Sequence, residues 1–270
     1  MIINPPPESA IPASVPSVDP KAAPTLRNAE AEVFYIEAIR ELVATGIPFL
    51  VAGTYAVSAY TGIIRQTKDL DIFCKAGDCP RILAHFKQIG YAVVVEDDRW
   101  LGKVFKGTHF FDVIFASMNG TMPVDDQWLE HARQGELLGS QVRIIGPTEL
   151  IWSKSFIQDR GRHDGADGAH TILKAHDQID WQRLLSYMEV HWEVLLMHLL
   201  NFRWIYPTER GRVPAWLLDE LLDRLAKQRE LPPSRMKICR GRMLSRTDYE
   251  IDVNDWGFAD VGGEGEHSNG

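Results

Sequence analysis

Cysteine is scarce in this 270-residue chain: Cys74, Cys79 and Cys239 form an odd set of three with no zinc-ligand spacing. That excludes a disulfide framework and a Cys-rich metal module, and a reducing cytoplasm is the expected location. Cys74 reads most simply as a small buried or half-buried residue. No run approaches the roughly 20 apolar residues that cross a bilayer, so no membrane partner is expected. The first residues lack the basic-then-apolar form of a secretory signal. Positive charge is short as well. With 29 Lys and Arg against 37 Asp and Glu, the formal net charge is −8. That argues against a basic nucleic-acid groove across the whole surface, while local use of Arg and Lys stays open. No internal repeat is visible. A hydrophobic content of 45% is ordinary for a globular protein, and the length suggests one to two cores.

Two aspartates one residue apart are the most informative feature present. In Asp69-Leu70-Asp71-Ile72 the alternation of a strand turns both carboxylates to one face and Leu70 and Ile72 to a core. Such a pair repels unless a cation sits between the carboxylates or one holds a proton. Hard oxygen ligands of this kind suit Mg²⁺. A bare Asp-x-Asp is also a common solvated strand end, so its neighbours decide the reading. Upstream, Ile47-Pro48-Phe49-Leu50-Val51-Ala52 reads as a buried strand broken at Gly53-Thr54. Tyr55 to Tyr60 then reads as a short helix stopped by Gly62. A small residue at this turn lets backbone approach a ligand, and free amides at the helix start favour phosphate. Arg65-Gln66-Thr67-Lys68 leads directly into the aspartates.

The succession Gly53-Thr54, short helix, Arg65-x-Thr67-x-Asp69-Leu70-Asp71-Ile72 resembles the DNA polymerase beta-type nucleotidyltransferase superfamily. The nearest likeness is to its small prokaryotic branch, which includes abortive-infection toxin-like nucleotidyltransferases. Thr54 stands where that superfamily usually has Gly or Ser; it keeps the hydroxyl and adds a methyl group. The resemblance covers roughly Glu30 to Lys174. It implies a third carboxylate on a neighbouring strand, and Asp112 in His109-Phe110-Phe111-Asp112-Val113-Ile114-Phe115 is the candidate. Burying a lone carboxylate in such a run is costly. It also implies a phosphate-binding lysine on a following helix. That role falls to Lys154, which on residues alone reads equally as a lysine snorkelling to water. Arg160-Gly161-Arg162-His163-Asp164-Gly165-Ala166-Asp167 looks like the Arg-x-x-Asp-x-x-Asp stretch of this branch. Asp164 and Asp167 share a helix face, where they would anchor Arg160, Arg162 or Lys154, line the acceptor side of a cleft, or sit solvated.

The organisation expected along the chain is a disordered arm over 1–25, a catalytic domain over 26–146, a helical cap over 147–230 and an extended, partly disordered tail over 231–270. The fold class is α/β (α+β): a mixed sheet with flanking helices plus a C-terminal helical region. Helices are expected over 30–45 with Val33, Ile36, Ile39 and Val43 inward, over 79–89 with Asp78 as N-cap, and from Pro147, Asp180 and Pro214 onward. The stretch 192–204 is apolar enough to be buried on most faces. Strands are expected at 92–95, 103–106, 109–115 and 142–145. His191 and His198, seven apart, read as core or cap residues or as metal ligands. Arg235 to Arg246 reads as a solvated, partly ordered segment.

The expected activity is metal-dependent transfer of a nucleoside monophosphate from a nucleoside triphosphate to an acceptor hydroxyl, releasing pyrophosphate. Asp69, Asp71 and Asp112 would hold two Mg²⁺ ions, with Mn²⁺ as a substitute. Gly53, Thr54, Arg65, Thr67 and Lys154 would hold the nucleotide, ATP among the candidates. The acceptor is a small molecule, tRNA or a protein. The alternatives are a nucleotide-binding or regulatory protein that kept the fold and lost transfer, and a toxin-like enzyme that modifies tRNA or protein.

Overall fold

The computed structural model describes residues 29–261 except 66 and 68, so the expected arm over 1–25 lies outside the described residues. Seven strands form a mixed sheet. In chain order they are β1 (Leu50–Val51), β2 (Leu70–Phe73), β3 (Ala92–Asp97), β4 (Leu101–Lys106), β5 (His109–Ile114), β6 (Arg133–Leu137) and β7 (Ser140–Ile144). Their spatial order is β3-β4-β5-β2-β1-β7-β6. The central step is parallel: β2 lies beside β5 with Asp71 opposite Asp112. β1 runs antiparallel to β2 on its other edge and parallel to β7. Leu70, Ile72, Phe111 and Val113 are fully buried on one face of this centre, which leaves the aspartates between them on the other.

Helix α1 (Ala29–Thr45) packs through Phe34, Tyr35, Ala38, Ile39 and Leu42. Val33 and Val43 are exposed, so the inward stripe is rotated from the expected one; the bulkier Phe34-Tyr35 pair outweighs the single valines. α2 (Gly53–Thr61) ends on Gly62 in the left-handed conformation, as its sequence suggests. α3 (Cys79–Gln88) follows β2, although Asp78 makes no side-chain cap and instead pairs with Arg81 at 2.6 Å. Two elements had no clear sequence signal. The short α4 (Asp126–Glu130) is capped by Asp125, and β6 forms a hairpin with β7 through Leu138-Gly139. Both turn residues have positive φ, 50° and 76°, the turn that matches strand twist. The expected buried strand over 47–52 is reduced to Leu50–Val51.

The second half is mostly helical: α5 (Pro147–Ser155), α6 (Gly165–Ala175), α7 (Trp181–Tyr187), α8 (Trp192–Ile205) and α9 (Ala215–Arg229). α8 departs from expectation. Leu195, Leu196, Leu199 and Phe202 are buried, but Met197, Leu200 and Trp204 are exposed, so only one face enters the core. The last segment departs too. β8 (Ile238–Cys239) pairs in parallel with β9 (Ala259–Asp260), with α10 (Glu250–Asn254) between them. Met243 and Ser245 are buried and Arg242 bonds Asp260 at 2.6 Å, so 238–260 is folded rather than extended. No helix among the described residues is long and apolar enough to cross a membrane.

Candidate active site

The register of β2 and β5 builds the site. Asp71 and Asp112 are direct parallel neighbours, and Asp69 lies two residues before Asp71. The three carboxylates each bring an oxygen within 4.8 Å of the others. Among the described residues this is the one His, Cys, Asp or Glu group of three or more that could hold a metal ion. His191 and His198 belong to no such group. His198 Nε2 lies 2.8 Å from the Ser155 carbonyl, and His191 meets the Phe156 ring edge-on.

Gly53 is the residue against which Asp71 rests. Its φ is +56°, a left-handed value that favours glycine. A Cβ there would overlap Asp71 Oδ2 and sit 3.1 Å from Asp71 Cβ. The turn thus needs glycine twice, for its backbone and for the carboxylate behind it. The Ala52 amide also donates to the Asp71 carbonyl at 3.0 Å, which clamps the turn to the strand.

Crowding shifts the acids. Burial, with the charges of Asp69 and Asp112, pushes Asp71 up to about 7, against the pull of Arg162 and Lys154. Burial pushes Asp112 up to about 6; Lys103 opposes this and Asp69 adds to it. Lys103 stands opposite Asp112 on β4 with its Nζ 3.6 Å from Oδ1. That oxygen is buried and has no hydrogen-bond partner. Three carboxylates together with an unsatisfied carboxylate oxygen fit a hard divalent cation, which would relieve both the repulsion and the missing bond. Tyr35 donates its hydroxyl to the Phe110 carbonyl at 2.9 Å behind the site; burial and then the three aspartates raise its pKa.

The expected nucleotide-binding residues fall into two groups. Gly53 and Thr54 start α2 beside Asp71. Arg65, Thr67 and Lys154 make contacts within the protein. Thr67 is buried and its hydroxyl donates to the Asp69 carbonyl at 2.9 Å, so it fixes the first aspartate. Arg65 forks onto Asp167 at 2.8 and 2.7 Å. Lys154 is buried between Asp164 and Asp167, 2.8 Å from each. Burial raises both of these aspartates, but the cations outweigh it and leave them below the ordinary range. Arg162 completes the cluster, 3.1 Å from Asp164, and its charge reaches Asp69 and Asp71. Sequence reasoning placed Arg162 only as an anchor partner. The signal available for a larger part was the density of Arg and Asp over 160–167.

A cleft of about 220 Å³ opens over Asp71 and Asp112. Gly53, Asp71, Asp112, Lys154 and Arg162 line one part of it, and the folded segment 242–246 forms a wall. No protein-family model matches the chain, and neither does any curated protein. Solved structures do show similarity. The lincomycin-bound lincosamide antibiotic adenylyltransferase LnuA is 16% identical with a TM-score of 0.39, covering 56% of this chain and 98% of its own. The antibiotic-resistance factor ANT(2'')-Ia is 14% identical with a TM-score of 0.43, covering 63% of this chain and 99% of its own. An antigenic nucleotidyltransferase-like protein from Paracoccidioides brasiliensis is 15% identical with a TM-score of 0.43, covering 69% of this chain and 93% of its own. These likenesses are distant. The functional reading rests on the residues of the cleft.

Proposed function

We propose that this protein is a metal-dependent nucleotidyltransferase that moves a nucleoside monophosphate from a nucleoside triphosphate to an acceptor hydroxyl. The observation that carries the reading is the triangle of Asp69, Asp71 and Asp112, formed where Asp71 and Asp112 face each other on parallel strands and Asp69 leads into the first, and backed by a glycine that no other residue replaces without displacing Asp71. Asp69, Asp71 and Asp112 would hold the Mg²⁺ ions. When bound, such ions neutralise charge on both the attacking and the leaving oxygen of an in-line displacement.

The chain's own groups do the positioning. The amides at the start of α2 would meet phosphate beside Asp71, with the Thr54 hydroxyl as a further donor. Arg162 and Lys154 add positive charge to that side of the cleft, held in place by Asp164 and Asp167. Thr67 fixes Asp69, and Arg65 fixes Asp167. The acceptor oxygen forms the new bond to the α-phosphorus. The bond from that phosphorus to the bridging oxygen breaks, and pyrophosphate leaves with the electron pair. Asp112, on the cleft floor beside Asp71, takes the hydroxyl proton. Charge placement and alignment supply most of the rate in such reactions.

The test is incubation of the protein with each α-labelled nucleoside triphosphate, Mg²⁺ and cell extract, with EDTA and Asp69→Asn as controls. Label moving to a new species with release of pyrophosphate, abolished by both controls, is the expected result. Saturable nucleotide binding without any transfer would replace this reading with that of a nucleotide-binding protein.

A further inference from the structure

Past the carboxylates the cleft changes character. Residues two apart on a strand share a face, so Phe73 follows Asp71 and Ile114 follows Asp112 along the cleft floor. Met118 and Met122 line it from the loop after β5, and Met243 and Leu244 from the C-terminal wall. Most polar groups lining the chamber are already bonded within the protein, the buried Arg242 Nε being the exception. Ser117 donates to Asn119 Oδ1 at 2.6 Å, and Asn119 Nδ2 donates to the Met243 carbonyl at 3.2 Å. Ser153 donates to the Leu150 carbonyl at 2.9 Å and Ser245 to Asp248 at 2.9 Å. Asp159 accepts from the Gly161 and Arg162 amides at 2.8 and 2.6 Å, and Arg242 is bound to Asp260.

A nucleobase or a sugar carries several donors and acceptors, and buried here they would leave water with few replacements. An apolar body would lose nothing and gain burial. The positive charges of Lys154 and Arg162 and the turn at Gly53 cluster instead about Asp71. We propose that this apolar chamber seats the acceptor, and that the acceptor is a small molecule with an apolar aliphatic or aromatic body and a hydroxyl that reaches back to Asp112. The proposal rests on the nucleotidyltransferase reading and narrows its acceptor. The step is the one already balanced: the hydroxyl oxygen bonds the α-phosphorus, pyrophosphate departs with the electron pair of the broken bond, and the hydroxyl proton passes to Asp112. A tRNA acceptor fits less well, because Asp159, Asp248 and Asp260 stand among the arginines around this chamber and a nucleic-acid backbone needs a continuous basic track.

The probe is 4-phenylbutan-1-ol, with the polyol xylitol, adenosine and unacylated tRNA as competitors. Binding is measured by calorimetry on the full chain without nucleotide, and transfer by the mass of the probe after incubation with ATP and Mg²⁺. Met118 is exposed in its loop, so Met118→Glu puts a charge into the chamber without emptying a core, and its melting temperature reports that it is folded. Leu244→Glu repeats the test from the opposite wall. We expect saturable probe binding, weakened at least tenfold in both variants, no displacement by the three competitors, and a probe heavier by one adenylyl group. Absence of binding, equal binding by wild type and both variants, or displacement by xylitol, adenosine or tRNA overturns the apolar acceptor, even where label from ATP reaches some other species. Probe binding with no nucleotide consumed overturns the transferase reading and the acceptor role together, which separates the two failures.

Discussion

Substituting Asp71 by Asn tests the site through stability, without any knowledge of its substrates. An ordinary aspartate titrates near 4, whereas Asp71 in the folded, metal-free protein is pushed up to about 7. Below pH ~4 both folded and unfolded chains hold the proton and no penalty arises. Between pH ~4 and ~7 the unfolded chain releases it while the folded chain keeps it, so stability falls as pH rises through that window. About three pK units at roughly 1.4 kcal/mol each set a ceiling near ~4 kcal/mol. Relaxation and water entry reduce it, and about 2 kcal/mol is the working expectation. Asn has nearly the same shape and no charge. In EDTA at pH 8, Asp71→Asn should therefore be more stable than wild type by about 2 kcal/mol, or roughly 4–8 °C in melting temperature for a chain of this size. At pH 5, one unit into that window, the gap should shrink to about a third. Mg²⁺ should raise the wild-type melting temperature at pH 8 and leave the variant nearly unmoved. Urea or thermal unfolding at the two pH values, with and without Mg²⁺, reads all four conditions. A variant less stable than wild type at pH 8, or a gap of the same size at pH 5, would refute the claim that these carboxylates are crowded.

Gly53→Ala forces Asp71 aside and places a Cβ at φ +56°; we expect about 1–2 kcal/mol of lost stability and Mg²⁺ affinity weakened at least tenfold, read by unfolding and metal titration. Lys154→Ala leaves Asp164 and Asp167 with one fewer cation in a buried cluster, so it should cost about 3 kcal/mol in urea unfolding at pH 7. A fully stable Lys154→Ala whose only defect is nucleotide affinity would instead mean that the lysine is free to meet phosphate. Asp112→Asn should bind Mg²⁺–nucleotide nearly normally and transfer about 10²–10⁴ times more slowly in single turnover, because an amide accepts no proton.

The centre of the fold was legible because local pattern and tertiary placement agree there. Alternation alone put Leu70 and Ile72 inward and the aspartates together, and the apolar run around Asp112 marked its strand. What sequence did not carry is partnership. Nothing local says that β5 lies parallel to β2 rather than elsewhere in the sheet, and the triangle depends on that adjacency. The same gap explains Lys154. Its apolar neighbours were consistent with a reach to solvent or to phosphate, and only the fold brings Asp164 and Asp167 to it. β6 was missed because Arg133-Gln134-Gly135-Glu136-Leu137 has little strand propensity and is held by its hairpin to β7. The C-terminal wall was missed because its contacts are few and distant: Met243 is buried, yet its neighbours in sequence are Arg240, Arg242 and Arg246.

That wall has a consequence for how the protein is made. Asp69, Asp71 and Asp112 leave the ribosome first, whereas Met243, Leu244 and the β8–β9 pair that carries them follow about 130 residues after Asp112. Synthesis proceeds at about 5–20 residues per second, so the wall follows the last of the three aspartates by on the order of ten seconds. A ribosome-bound chain arrested after Arg229 carries all three aspartates and has no C-terminal wall for an apolar body to rest on. In each nascent molecule the three aspartates thus exist before the chamber wall does.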